Sequence, residues 1–155
     1  MPAQMHPATF TVAKPAFDFF TGAQWSREAA AGLIANIEAE SAFRADAVGD
    51  SGAAIGICQW HTDRQIAFRV QFGFSIRQAS YAEQLQFVDF ELRNGESGAG
   101  NALRRATTPE EAGETVCTRY ERPNDPDGAV SRHRGERARD WFGALTQALA
   151  AQANA

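Results

Sequence analysis

The stretch Ala29-Ala30-Ala31-Gly32-Leu33-Ile34-Ala35-Asn36-Ile37-Glu38-Ala39-Glu40-Ser41 decides how this chain is read. At about 100° per residue, Ala29, Ala30, Leu33, Ile34 and Ile37 share one apolar helix face, and Ser26 stands where a capping hydroxyl is needed. Glu40 falls about 50° from the centre of that face and Glu38 about 110° from it. Glu38 is therefore expected to be a solvated surface charge, and Glu40 to point toward the interior or a cleft wall. A carboxylate there loses hydration and sits at the negative end of the helix dipole, and both effects disfavour its ionised form. A carboxyl still protonated near neutral pH is what a general acid requires. The plain structural alternative is that Glu40 pairs with an arginine such as Arg44.

The segment that follows, Phe43 to His61, is too irregular for a helix and carries Gly49, Gly52 and Gly56, so it reads as a loop or small β-hairpin. Within it, Gln59 offers a donor and an acceptor for sugar hydroxyl and acetamido groups. Trp60 offers a flat face of the kind that stacks on pyranose rings, and a place in the core suits it equally.

Outward from this segment the chain reads as successive helices. Lys14 to Thr21 carries Phe17, Phe19 and Phe20 and stops at Gly22. Thr62 to Gln65 and Ser80 to Glu83 are capping boxes, the first opening a helix to Gly73 and the second a helix to Asn94-Gly95. The second of these is apolar around much of its circumference, which marks a central helix. Thr108-Pro109-Glu110-Glu111 starts another, carrying Val116, Cys117 and Tyr120 and ending before Pro123; a last one spans about Val130 to Leu149. The fold class expected is mainly α, with a small β-hairpin or Gly-rich region beside the Glu40 helix. Residues 1–13 are expected to be a lead segment and residues 14–150 one domain.

Length and composition agree. A chain of 155 residues with 44% hydrophobic and 22% charged residues suits one compact domain and no membrane-inserted segment. The net charge of −4 argues against nucleic acid as a partner. Met1 to Pro15 lacks a basic-flanked apolar core, so no secretory signal is expected there. Cys58 and Cys117 are expected as buried free thiols. The His and Cys residues show no metal-ligand spacing, and no cofactor is implied. Asn124 to Gly128 reads as a turn, because Pro123 and Arg134 fall where a calcium loop needs carboxylates. Arg132-His133-Arg134 with Arg137 and Arg139 reads as a solvated basic face, or one that meets anionic envelope polymers.

The ordered motifs Ala30 to Ser41, Ala47-Val48-Gly49-Asp50, Ile55 to Trp60, Glu83 to Val88, Glu91-Leu92 and Arg119 to Pro123 together resemble the phage tail lysozyme family, also found in endolysins. That family is related to goose-type lysozymes and lytic transglycosylases, and the resemblance runs from about Phe17 to Trp141. It implies a lysozyme-like fold and an enzyme that cleaves peptidoglycan glycan strands. Glu40 matches the family's catalytic acid, and Ser41 follows it. Asp50 looks like the aspartate of the Gly-Asp-x-Gly turn that helps position water in goose-type lysozymes. A second goose-type aspartate has His61 in its place here, with Asp63 two residues on, which leaves Asp50 as the leading second carboxylate. Ser41, Gln59, Trp60, His61 and Tyr120 are expected to line the substrate site. In the related transglycosylases a late-helix tyrosine reaches the catalytic acid, so the resemblance implies that Tyr120 orients Glu40 or the substrate, with core packing as its plain alternative. Glu121, between Arg119 and Arg122, is expected in an ion-pair network.

The implied reaction is cleavage of the β-1,4 bond between N-acetylmuramic acid and N-acetylglucosamine, by hydrolysis or by transglycosylation to a 1,6-anhydro product. Two other readings stand beside it, a cysteine peptidase or amidase using Cys58, and a non-catalytic wall-binding or tail structural module. A monomer is expected, made without a signal and reaching the wall by holin release or as a virion component.

Overall fold

The computed structural model describes residues 5–155, so the first residues of the expected lead lie outside it. Helix α1, Pro7–Gly22, begins within that lead: Pro7 occupies a first-turn position, and the imidazole of His6 accepts the N–H of Ala8. Residues 7–13 are thus helical, and Ala13 is buried.

Ser26 caps α2, Arg27–Ser41, accepting the N–H of Ala29 at 3.0 Å. Every residue from Ala29 to Ile37 is buried. The chain then makes a two-residue hairpin, β1 Val48–Gly49 and β2 Ala54–Ile55, in which Val48 faces Ile55 and Gly49 faces Ala54. Helix α3, Thr62–Phe72, follows. Its entry corrects one expectation: the cap position is His61, without a side-chain cap, and Gln65 instead donates to the carbonyls of Trp60 and Ala53.

Helix α4, Tyr81–Arg93, carries the expected Ser80–Glu83 box with both reciprocal hydrogen bonds. Helix α5, Ser97–Arg105, is absent from the sequence reading, because its two glycines argue against a helix. Gly100 belongs there because a Cβ would collide with the carbonyl oxygen of Leu92, so only glycine lets α5 lie against the end of α4. Thr108 caps α6, Pro109–Thr115, which passes into a π-helical turn over Val116–Glu121. That turn ends at Arg122 in a left-handed conformation. Helix α7, Ala129–Ala153, closes the chain. Its first N–H groups go to Asp125 and Asp127, so the Asn124–Gly128 segment is the expected turn, acting as a cap.

The central helix is α2, not α4. Helices α1, α6 and α7 all pack on it. Its alanines and Gly32 permit this: a Cβ on Gly32 would sit 2.6 Å from the carbonyl carbon of Ala112 on α6. Helix α4 is one-sided, with Ala82, Gln86 and Arg93 exposed. The fold class read from the sequence holds, with seven α-helices and one two-stranded sheet among the described residues. No described helix is long and apolar enough to cross a membrane.

Candidate active site

A cleft of about 450 Å³ opens where the C-terminal end of α2, the hairpin loop and the end of the π-helical turn converge. From α2 comes Glu40, from the hairpin Asp50, from the turn after β2 Gln59, from the start of α3 His61 and Arg64, and from the π-helical turn Glu121. Glu40 is partly shielded, its side chain 20% exposed. Its Oε1 accepts from Arg134 Nη1 at 3.3 Å and Nη2 at 3.2 Å.

Arg134, not Arg44, is therefore the partner of Glu40, and Arg44 is bound locally to Asp46. Arg134 is itself positioned. Nη1 also donates to Asn36 Oδ1, and Asn36 Nδ2 donates to the carbonyls of Gly32 and Gly113. A buried amide thus joins α2, α6 and α7 and holds the arginine against Glu40.

The same pairing corrects the solvated readings of Glu38 and of the basic face. Glu38 is as shielded as Glu40, at 20%, and accepts from Arg137 and from Trp141 Nε1. Helix α7 runs along this side of α2, a fact that periodicity within α2 cannot contain. Of the basic run, Arg134 and Arg137 therefore face inward.

On the opposite wall, His61 Nε2 lies 2.9 Å from Asp50 Oδ2, and both side chains are largely exposed. Asp50, Ser51 and Gln59 all hold positive φ, at 47°, 55° and 48°. Each such non-glycine residue costs of order 1–3 kcal/mol, and strain of this kind collects at functional sites. Gln59 is fixed by donation from Nε2 to the carbonyls of Gly56 and Ala47. Gly49 makes room for it, since a Cβ there would collide with Gln59 Oε1.

Three of the candidate residues stand outside the cleft wall. Ser41 is buried, its hydroxyl donating to the carbonyls of Ile37 and Ile57 and tying the end of α2 to the loop. Trp60 is wholly buried, its ring centroid 5.2 Å from that of Phe87, so it offers no face to a sugar. Tyr120 is buried and donates its hydroxyl to Glu91 Oε1 at 2.7 Å, not to Glu40.

Glu91 gathers the Trp60 and Tyr120 side chains; the sequence marks it only as part of the Glu91-Leu92 motif, and nothing in its spacing assigns it this role. Its Oε1 also accepts from Trp60 Nε1 at 2.7 Å and Arg64 Nη2 at 2.8 Å, while Oε2 accepts from Arg64 Nε at 2.7 Å. This buried hub fixes Arg64 at the cleft floor, with its guanidinium 4.4 Å from the centre of the Tyr120 ring.

Glu121 departs from its expected ion-pair network as well. Arg122 turns to Glu96 with two hydrogen bonds, at 2.7 and 3.1 Å. Glu121 Oε1 is shielded from solvent and has no hydrogen-bond partner among the described residues. Burial, and after it the charge of Glu40, push its carboxyl up to about 8. Cys58 and Cys117 are buried free thiols, as expected. Burial above all, then the Glu121 charge, raises the Cys58 thiol well beyond its ordinary range, so the thiolate that a cysteine peptidase needs is disfavoured.

A largely helical domain whose central helix carries a glutamate in its last turn, set in a polar cleft beside a short strained hairpin, has the plan of a lysozyme-like protein. The chain belongs to the phage tail lysozyme family, whose model matches residues 11–145. Its function is therefore peptidoglycan-lytic in the general sense of that family, of glycosidase type and associated with phage action on the cell wall. No curated protein matches the sequence.

Proposed function

We propose that the protein is a muramidase that cleaves the β-1,4 bond between N-acetylmuramic acid and N-acetylglucosamine, with Glu40 as general acid. One observation carries this reading: Glu40 and Asp50, brought from α2 and from the hairpin, line the same cleft. Glu40 protonates the glycosidic oxygen as the C–O bond breaks. Asp50, steadied by His61, orients the water that attacks the anomeric carbon. Gln59, whose NH₂ group is held by the carbonyls of Gly56 and Ala47, offers the sugar substituents only its amide oxygen as an acceptor. Acting as a monomer, the enzyme serves as a bacteriolytic endolysin or a virion-associated lysin, reaching the periplasmic wall through a holin or with the phage tail.

Digestion of purified sacculi by the wild type, Glu40→Gln and Asp50→Asn, with product masses recorded, tests the reading. Loss of turnover is expected in Glu40→Gln, by a factor of about 10²–10⁴. Full activity in that variant removes Glu40 from the mechanism, and full activity in Asp50→Asn removes Asp50. Products lighter by one water, the 1,6-anhydro ends, would make the enzyme a transglycosylase instead. Binding of sacculi with no product at all would make it a wall-binding module.

A further inference from the structure

The cleft holds a carboxyl group that the reaction above leaves unused. Glu121 closes the π-helical turn and lines the cleft together with Glu40. Two arginines stand near it, and both are committed elsewhere. Arg134 on α7 donates to Glu40 and Asn36, and Arg64 on α3 donates to Glu91 on α4. Arg122 is taken by Glu96, and the Cys58 thiol lies against the Glu121 carboxyl. Tyr120 and Cys117 on its own turn are uncharged groups held neutral first by burial. Across the cleft stand Asp50, His61 and Asp63. Glu40 Oε1 thus faces a positive charge, whereas Glu121 Oε1, equally a carboxyl oxygen, meets no donor. An ionised oxygen left in that state is costly, and a protonated carboxyl avoids the cost.

We propose, resting on the reading of Glu40 as the acid, that Glu121 stores the proton that Glu40 delivers, the two carboxyls acting as one proton-sharing pair. Between turnovers the proton sits on Glu121 while Arg134 holds Glu40. In turnover the O–H bond on Glu121 breaks and one forms on Glu40, leaving Glu121 as the carboxylate. Arg134, no longer facing a charged Glu40, and Arg64 then stabilise Glu121. Glu40 passes the proton to the leaving-sugar oxygen as the glycosidic bond breaks. The water that Asp50 orients adds to the anomeric carbon and gives up its proton on the Asp50 side to solvent, and a proton from solvent reloads Glu121, so one water is consumed and the pair is restored. Glu121 is accordingly a positioning residue for the proton, acting through Glu40. Burial and the Glu40 charge, which lift the Glu121 carboxyl to about 8, keep the pair loaded at neutral pH.

The test is the pH profile of initial rates on sacculi for the wild type, Glu121→Gln, Glu121→Asp and Glu40→Gln. The wild type is expected to lose activity on the alkaline side with a midpoint near about 8. Glu121→Gln, which keeps the shape but carries no mobile proton, should lose at least about tenfold at pH 7. Its alkaline fall should move down by about one pH unit or more. Glu121→Asp should recover part of the rate. A folded Glu121→Gln with the wild-type rate and the wild-type alkaline limb overturns the proposal. If that variant does not fold, the wild type decides by infrared spectroscopy. A carboxylic-acid band present at pH 7 and lost through about pH 8 supports the proposal, and its absence at pH 7 overturns it. An inactive Glu40→Gln beside an unchanged Glu121→Gln sinks this inference alone, whereas an active Glu40→Gln sinks the reading beneath it.

Discussion

Replacing Glu91 by Gln tests whether the buried hub holds the cleft floor in place. Glu91 is 5% exposed and its carboxylate accepts four hydrogen bonds, three on Oε1 and one on Oε2. The amide can keep its carbonyl toward Trp60, Tyr120 and Arg64 Nη2, but its NH₂ group then opposes Arg64 Nε, donor against donor. Arg64 also loses its counter-charge while its side chain stays only 14% exposed. Breaking one side of a buried pair in this way costs about 3–5 kcal/mol. For a chain of this size each kcal/mol moves Tm by roughly 2–4 °C, so a fall of roughly 6–20 °C is expected. Urea unfolding followed by tryptophan fluorescence checks it, with a lowered midpoint at unchanged slope. A loss below about 1 kcal/mol would refute the reasoning, because it would mean that water reaches the cluster and solvates Arg64 once its counter-charge is gone.

Three further outcomes are expected. Glu121 binds its proton more tightly folded than unfolded, with about 8 against an ordinary 4.5, so the folded state carries the extra proton between these values. Stability should therefore be greatest below the lower value and fall as pH rises toward the upper one, at up to about 1.4 kcal/mol per pH unit. Urea midpoints at pH 5 and 7.5 should diverge in the wild type and converge in Glu121→Gln; equal divergence in both would disprove the assignment. Gly32→Ala gains about 1 kcal/mol of helix propensity, but a Cβ 2.6 Å from the Ala112 backbone forces α2 and α6 apart. The net result should be a destabilisation of about 1–3 kcal/mol, measured by thermal unfolding. Thr108→Ala removes the hydroxyl that accepts the N–H of Glu111 at 3.1 Å, and should cost about 1 kcal/mol in urea unfolding.

Much of the fold is legible in the sequence because its signals are local. Ser26, Ser80 and Thr108 each cap a helix through a hydrogen bond three residues away, and such bonds are written in the adjacent sequence. The glycines of the hairpin segment mark the break after α2 correctly. Helix α5 escapes for the opposite reason: Gly100 is there for the backbone of Leu92, not for the helix that contains it.

The cleft is legible only in part. Helix phase and motif single out Glu40, Asp50, Gln59 and His61, and all four line it. Residue type and motif also single out Trp60 and Tyr120, but neither says whether an aromatic ring meets a sugar or the core; here both meet Glu91.

By itself the sequence determined the run of helices, the hairpin after α2 and the side of that helix on which Glu40 lies, since these follow from backbone hydrogen bonding and a period of 3.6 residues. The tertiary structure alone decided the partners: Arg134 meets Glu40 across 94 positions of chain, Tyr120 meets Glu91 across 29, and Glu121 Oε1 is left without a donor among the described residues. Ion pairs and buried hydrogen bonds depend on where remote helices come together, and no local pattern encodes that placement.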